Sequence, residues 1–184
     1  GCSKNLVDSQ VMAGFLKQGR IGLAASPETA DVILVNTCSF IEAAREEAAE
    51  AILSACAHKA RGACRAVVVT GCLVQRYRER LEQAFPDVDA FLGIDELARI
   101  GEVVKRAAAG ERCGVIAAAG DAGKVYDPAY PTLLFTGGPF AYLKIADGCD
   151  HRCSYCAIPN IRGRFRSRDA CEIVKEAQSM VRAG

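Results

Sequence analysis

The stretch Asp31-Val32-Ile33-Leu34-Val35-Asn36-Thr37-Cys38-Ser39 is a short apolar, β-branched run that passes through two polar residues into a cysteine. Such a run suits a strand buried on both faces. Ser39 with Glu42 fits a capping box and predicts a helix to about residue 59, with Ile41, Ala44, Ala48, Ile52 and Ala55 as its buried stripe. The same order then recurs. Ala66-Val67-Val68-Val69-Thr70 reads as a second buried strand, Gly71-Cys72 follows, and a helix is expected over 73–85 with Val74, Tyr77 and Leu81 inward. Residues 89–92 form a weaker third strand. Asp95 is placed to cap a further helix that uses Leu97, Ile100 and Val104 and stops near Gly110. Strand alternating with helix predicts an α/β fold, an open parallel sheet flanked by helices.

Ahead of this unit, residues 5–17 read as a helix with Val7, Val11 and Phe15 on one stripe and Asp8 in its first turn. Cys2 sits just before it. Cys2, Cys38 and Cys72 are 36 and 34 residues apart, about one strand–helix unit each. Cys38 and Cys72 fall where a strand ends and a helix starts, the edge at which open parallel sheets bind ligands. A strand before Gly1 would place Cys2 alike. Helix N-termini also favour thiolates, so the three cysteines are read as one metal site.

Residues 110–139 change character, punctuated by Gly120, Gly123, Pro128, Pro131, Gly137, Gly138 and Pro139. A linker is expected, with a short extended piece around Leu133-Leu134-Phe135. A strand over 140–146 then leads into Gly148-Cys149-Asp150-His151-Arg152-Cys153-Ser154-Tyr155-Cys156, and a helix is expected over 169–182. The chain thus divides into an α/β domain (1–112), a linker (113–139) and the start of a second domain (140–184). Three thiols at C-x3-C-x2-C spacing form a soft-metal loop. They are one short of the four ligands that close a structural zinc or a cubane cluster. A zinc completed by His151 or a remote ligand, or thiols that are merely close, are the other readings of the loop.

The bulk properties exclude several classes. With 51% hydrophobic and 24% charged residues, the 184-residue chain has the composition of a globular protein. A net charge of +1 gives no overall electrostatic footprint for nucleic acid or a membrane surface, and no run of eighteen apolar residues is present. Ten cysteines amid Ala-, Glu- and Arg-rich helical patterns point to metal ligation in the cytoplasm rather than to disulfides.

The cysteine loop resembles that of the radical S-adenosylmethionine (SAM) enzymes. Its flanks, Tyr142-Leu143-Lys144-Ile145-Ala146-Asp147-Gly148 and Ile158-Pro159-Asn160-Ile161-Arg162-Gly163, resemble the methylthiotransferases among them. Gly1-Cys2-Ser3-Lys4-Asn5-Leu6-Val7-Asp8-Ser9, Asn36-Thr37-Cys38-Ser39-Phe40-Ile41 and Gly71-Cys72-Leu73-Val74-Gln75-Arg76-Tyr77 are similar to the RimO branch, which modifies a small-subunit ribosomal protein. The resemblance implies two 4Fe-4S clusters, one on Cys149, Cys153 and Cys156 that binds SAM, the other on Cys2, Cys38 and Cys72. It implies addition of a methylthio group to the β-carbon of an aspartate in that ribosomal protein, and with it an electron donor. The acid-free arginine run over 152–168 offers either anion binding to SAM or contact with an RNA-rich ribosomal target, and the bulk properties give no membrane partner. Family members extend through the rest of a (β/α) barrel and a β-rich domain. The 140–184 segment is then the first strand–loop–helix unit of a truncated barrel, and the chain on its own is expected to be inactive.

No catalytic side chain is assigned. Tyr155 is read either as packing near the SAM adenine or as core filling. Arg168, in a Ser-Arg pair with Ser167, is favoured for cofactor binding over Arg152, Arg162, Arg164 and Arg166, most of which read as a solvated loop. His151 and His58 receive no function, and Cys56, Cys64, Cys113 and Cys171 read as small buried hydrophobes. A tRNA adenosine is the alternative substrate; a non-catalytic iron–sulfur or zinc-binding module is the alternative of another class.

Overall fold

The computed structural model describes residues 1–62, 64–115, 127, 130–135 and 140–183. Four parallel strands, β1 (Val32–Thr37), β2 (Ala66–Gly71), β3 (Ala90–Leu92) and β4 (Cys113–Val115), lie side by side in chain order. Helix α1 (Ser3–Gln18) precedes them, α2 (Glu42–Ala60) joins β1 to β2, and α3 (Cys72–Tyr77) and α4 (Glu79–Ala84) join β2 to β3. A 3-10 turn (Ile94–Arg99) and α5 (Ile100–Ala108) lead to β4.

Alternate residues of β2 explain the layering, because successive side chains of a strand point to opposite faces. Ala66 and Val68 pack with Met12 and Leu16 of α1 and Ile100, Val103 and Val104 of α5. Val67 and Val69 pack with Ala48, Ile52 and Ala55 of α2 and with Leu73, Val74 and Leu81. The sheet is therefore covered on both faces, as its β-branched strands require. Ile52 is wholly buried, a burial that stabilises by about 1.5–3 kcal/mol.

Several local expectations are corrected. β1 lies at the edge of the sheet, and Val32 to Asn36 are half-buried rather than enclosed. Helix α2 begins at Glu42 without a side-chain cap, so Ser39 and Glu42 form no capping box. Ser39 stays in the strand-to-helix loop, and of the expected stripe Ile41 is exposed. The helix expected over 73–85 is broken at Arg78, whose φ of 42° and ψ of −121° leave the helical region. Asp95 caps no helix; it lies within the 3-10 turn behind Gly93 and pairs with Arg166. The first three residues of the stretch read as a linker form β4, and Leu133 donates its N–H to Gln10 O on α1. The linker reading of 116–126, 128–129 and 136–139 lies outside the described residues.

After residue 140 the chain forms β5 (Ala146–Asp147), α6 (Ile158–Arg162), β6 (Arg166–Ser167) and α7 (Ala170–Ala183). The strand expected over 140–146 is reduced to β5, which pairs antiparallel with β6. Ile161 of α6 is buried against Cys72 and Ile94, which seats this segment on the sheet edge. No helix among the described residues is long and apolar enough to cross a membrane.

Ile52→Ala is expected to cost about 2–5 kcal/mol in a urea titration, the range for truncating an enclosed aliphatic side chain. Leu53→Ala, at a position 60% exposed, should change stability by less than about 0.5 kcal/mol.

Candidate metal centre

The C-terminal ends of β1 and β2 are in register, Asn36 opposite Thr70 and Thr37 opposite Gly71, so Cys38 and Cys72 leave the sheet side by side. Gly71 has φ of 100°, and a Cβ there would collide with the Thr37 carbonyl oxygen. Only glycine allows β2 to turn directly into α3 this close to β1. Asn5 of α1 donates Nδ2–H to Asn36 Oδ1 at 2.8 Å and to the Thr37 carbonyl at 3.2 Å. Asn36 in turn donates to Asn5 O at 2.9 Å and to Ser9 Oγ at 2.7 Å. These bonds fasten the first turns of α1, and with them the neighbouring Cys2, to the same edge.

Cys2 is exposed, whereas Cys38 and Cys72 are buried, and all three are free thiols. Beside Cys38, the Ser39 hydroxyl is buried without a hydrogen-bond partner among the described residues. Arg162 Nη2 donates to Cys72 Sγ at 3.3 Å. Burial pushes the Cys72 thiol up; the Arg162 guanidinium and its hydrogen bond oppose this, while Asp8 and Cys38 add to the rise.

Arg162 belongs to a buried ionic network. Its Nη2 also donates to Asp8 Oδ2 at 2.9 Å, and its Nη1 donates to Asp147 Oδ2 at 3.0 Å. Lys144 Nζ lies 3.0 Å from Asp8 Oδ1 and 2.8 Å from Asp147 Oδ2. Lys4 Nζ, half-exposed, adds a bond to Asp147 Oδ1 at 3.0 Å. Burial alone would raise the Asp147 carboxyl, but the Lys144 and Arg162 cations beside it hold it well below the usual carboxylate range. Arg162 is shifted upward: Asp8, Cys72 and Asp147 together outweigh its desolvation.

The second trio sits on the loop beyond β5. Gly148 takes φ of 76°, and a Cβ there would strike the Arg164 carbonyl. Cys149 N donates to Gly163 O at 3.1 Å, and Cys156 N donates to Cys153 O at 3.1 Å. Asp150 accepts from Phe165 N and Arg164 Nε. The loop is thus pinned at 149 and 150, while Cys153 is exposed and Cys149 and Cys156 are half-buried. Among the described residues, no three Cys, His, Asp or Glu side chains converge closely enough to hold one metal ion. The backbone brings Cys38 and Cys72 to one sheet edge and carries Cys149, Cys153 and Cys156 on one loop, and free thiols are the soft donors suited to iron–sulfur or zinc.

The remaining sequence-based candidates divide. Tyr155 is 89% exposed and fills no core among the described residues. Arg168 is buried, donates Nη1–H to Lys144 O at 2.9 Å and pairs with Glu176, so it braces the chain beneath β5. Arg152 and Arg164 are exposed, as a solvated loop requires, and His151 is exposed too. Cys64 is buried and Cys56 and Cys113 are half-buried, with burial raising each thiol, but Cys171 is exposed on α7 and is no buried hydrophobe.

Asp8, Lys144, Asp147 and Arg162 escape the sequence reading. Asp8 is not a helix-dipole partner in the first turn but a buried counter-ion, and Arg162 is 3% exposed rather than solvated. The signals available were a lysine inside an apolar run and an arginine beside the buried Ile161.

A family model described as "Uncharacterized protein family UPF0004" matches residues 1–93, the part that carries Cys2, Cys38 and Cys72. The chain belongs to this family. Beyond the UPF0004 match, the whole chain aligns with curated proteins named ribosomal protein uS12 methylthiotransferase RimO. It is 44% identical to the one from Desulforudis audaxviator, of which it covers 40%. The corresponding values are 46% and 37% for Symbiobacterium thermophilum, and 43% and 41% for Geobacter sulfurreducens. This UPF0004 chain therefore spans about two fifths of the length of the curated relatives it matches.

Asp8→Ala leaves Lys144 and Arg162 buried beside a missing counter-ion. A loss of about 3–5 kcal/mol is expected in chemical denaturation, as for other broken buried pairs. Asp31→Ala, which removes an exposed pair with Arg65, should cost less than about 1 kcal/mol.

Proposed function

We propose that the protein is a radical SAM methylthiotransferase that acts on an aspartate β-carbon of a small-subunit ribosomal protein. The observation that carries this reading is the bond from Arg162, just beyond the loop of Cys149, Cys153 and Cys156, to Cys72, which lies beside Cys38 at the sheet edge; it supports reading Cys2/Cys38/Cys72 and Cys149/Cys153/Cys156 as two neighbouring sites. Likeness over the whole chain to proteins named as uS12 methylthiotransferases supports the substrate class.

The residues present suit two 4Fe-4S clusters, each held by three thiolates. Bound there, such clusters supply the one-electron chemistry and the open iron positions that SAM cleavage and sulfur transfer require. The chain's own contribution is positional. Gly71 and the Asn5–Asn36 pair set the first trio at the sheet edge, and Gly148 and Asp150 shape the loop of the second. The ionic network fixes one site against the other, because Asp147 stands two residues before Cys149 while Arg162 reaches Cys72. Ile161 and Ile94 pack beside Cys72 and keep bulk water from its buried side. Tyr155, exposed beside Cys156, offers a ring on which an adenine can stack. Arg168 serves the cofactor indirectly, by bracing the chain at Lys144. An electron donor completes the system.

Iron and acid-labile sulfide after anaerobic reconstitution test the reading. Cys2→Ala/Cys38→Ala/Cys72→Ala and Cys149→Ala/Cys153→Ala/Cys156→Ala should each lose one cluster's iron, about half the total. Zinc at one per chain without sulfide would sink it and favour a metal-binding module. Mass spectrometry of the ribosomal protein and of tRNA from a deletion strain identifies the substrate: a lost methylthio group on the protein aspartate is expected, whereas loss from a tRNA adenosine transfers the assignment.

A further inference from the structure

Arg162 is carried by α6, just beyond the loop of the second cysteine trio, yet its side chain ends at the first. Nη2 is shared between Asp8 Oδ2 at 2.9 Å and Cys72 Sγ at 3.3 Å, and Nη1 is held by Asp147 at 3.0 Å. The Arg162 side chain is only 4% exposed, so it cannot swing away without giving up its bonds to both Asp8 and Asp147. Lys144 bridges the same two carboxylates and fixes them in turn. Ile161, next in the chain, is buried against Cys72 and sets the approach of α6. A rigid cation whose N–H is aimed at one particular cysteine sulfur suits a sulfur that carries negative charge.

We infer that Arg162 is a positioning residue for the Cys2/Cys38/Cys72 site, one that holds the Cys72 sulfur and raises the reduction potential of the iron–sulfur cluster bound there. The inference rests on the proposed function in one respect, that this trio holds a cluster. Hydrogen bonds to cluster sulfurs and nearby positive charge both favour the reduced, more negative state. The donor comes from the segment that bears the other trio, so the properties of the first cluster depend on that segment being seated.

The test uses the full chain with Cys149→Ala, Cys153→Ala and Cys156→Ala, reconstituted anaerobically with iron and sulfide so that only the first trio carries a cluster. Iron per chain is measured, then the midpoint potential by a redox titration followed by electron paramagnetic resonance. Arg162→Gln is expected to keep the iron and lower the midpoint. A tenfold change in the one-electron equilibrium, about 59 mV, is the size expected. Arg162→Lys should lower it less, and Asp147→Asn, which removes a negative charge from the same network, should raise it.

If Arg162→Gln leaves the midpoint unchanged, the inference is overturned. It is overturned equally if Arg162→Gln and Asp147→Asn both lower the midpoint, since that is the mark of general loosening. Should Arg162→Gln fail to fold by circular dichroism, Arg162→Lys decides: a lowered midpoint supports the role and an unchanged one overturns it. A parent chain without iron or sulfide refutes the cluster reading itself, a failure told apart from the others before any Arg162 variant is made.

Discussion

Two carboxylates and two cations enclosed together, Asp8 and Asp147 with Lys144 and Arg162, are the constraint on which the arrangement turns. Taking four charges out of water costs several kcal/mol each before any pairing is counted. Each carboxylate here meets both cations, and the Arg162 fork spans the two acids from separate nitrogens. Such a set tolerates little displacement, because moving one member strands the others in a medium that solvates them poorly. It therefore fixes α1 against the 140–183 segment more tightly than the small apolar contact of Ile161 would alone.

The sheet edge is organised by a different kind of bond. Thr70 Oγ1 donates to Leu92 O at 2.8 Å, Arg76 to Ser39 O at 2.8 Å, and Gln75 Oε1 accepts from Ile94 N at 3.2 Å. With Asn5 and Asn36 these side chains satisfy backbone groups where the parallel ladder stops. Below that belt residues 32–35 of β1 and 66–69 of β2 are apolar, so the core supplies stability and the polar belt supplies the shape of the edge. Stability and site geometry thus reside in adjacent layers of the same strands.

How much of this was legible in the sequence follows from the same division. The strands at 32–37 and 66–71 and their helices are written in local apolar pattern, and periodicity finds them. The cysteines announce themselves by spacing. Ser39 and Asp95 misled because a capping residue and a loop residue look alike until the backbone chooses, and the break at Arg78 has no glycine or proline to mark it. The network stayed hidden for a deeper reason. Lys4, Asp8, Lys144, Asp147 and Arg162 become partners only through tertiary contact, and charge in a sequence reads as solvated until a fold encloses it. A short apolar run such as 140–146 likewise reads as a strand, whereas among the described residues the segment pairs with β6 alone and keeps two residues of ladder.

Cys72 and Arg162 stand 90 residues apart in the chain. On the ribosome, at about 5–20 residues per second, roughly 5–20 seconds separate their synthesis. Once residue 115 has been made the sheet has every residue it needs, yet Cys72 still lacks its guanidinium neighbour and Asp8 lacks both its cations. The first cysteine site is therefore a late-maturing part of an early-folding domain, open to solvent and to small solutes until the last fifth of this chain closes over it.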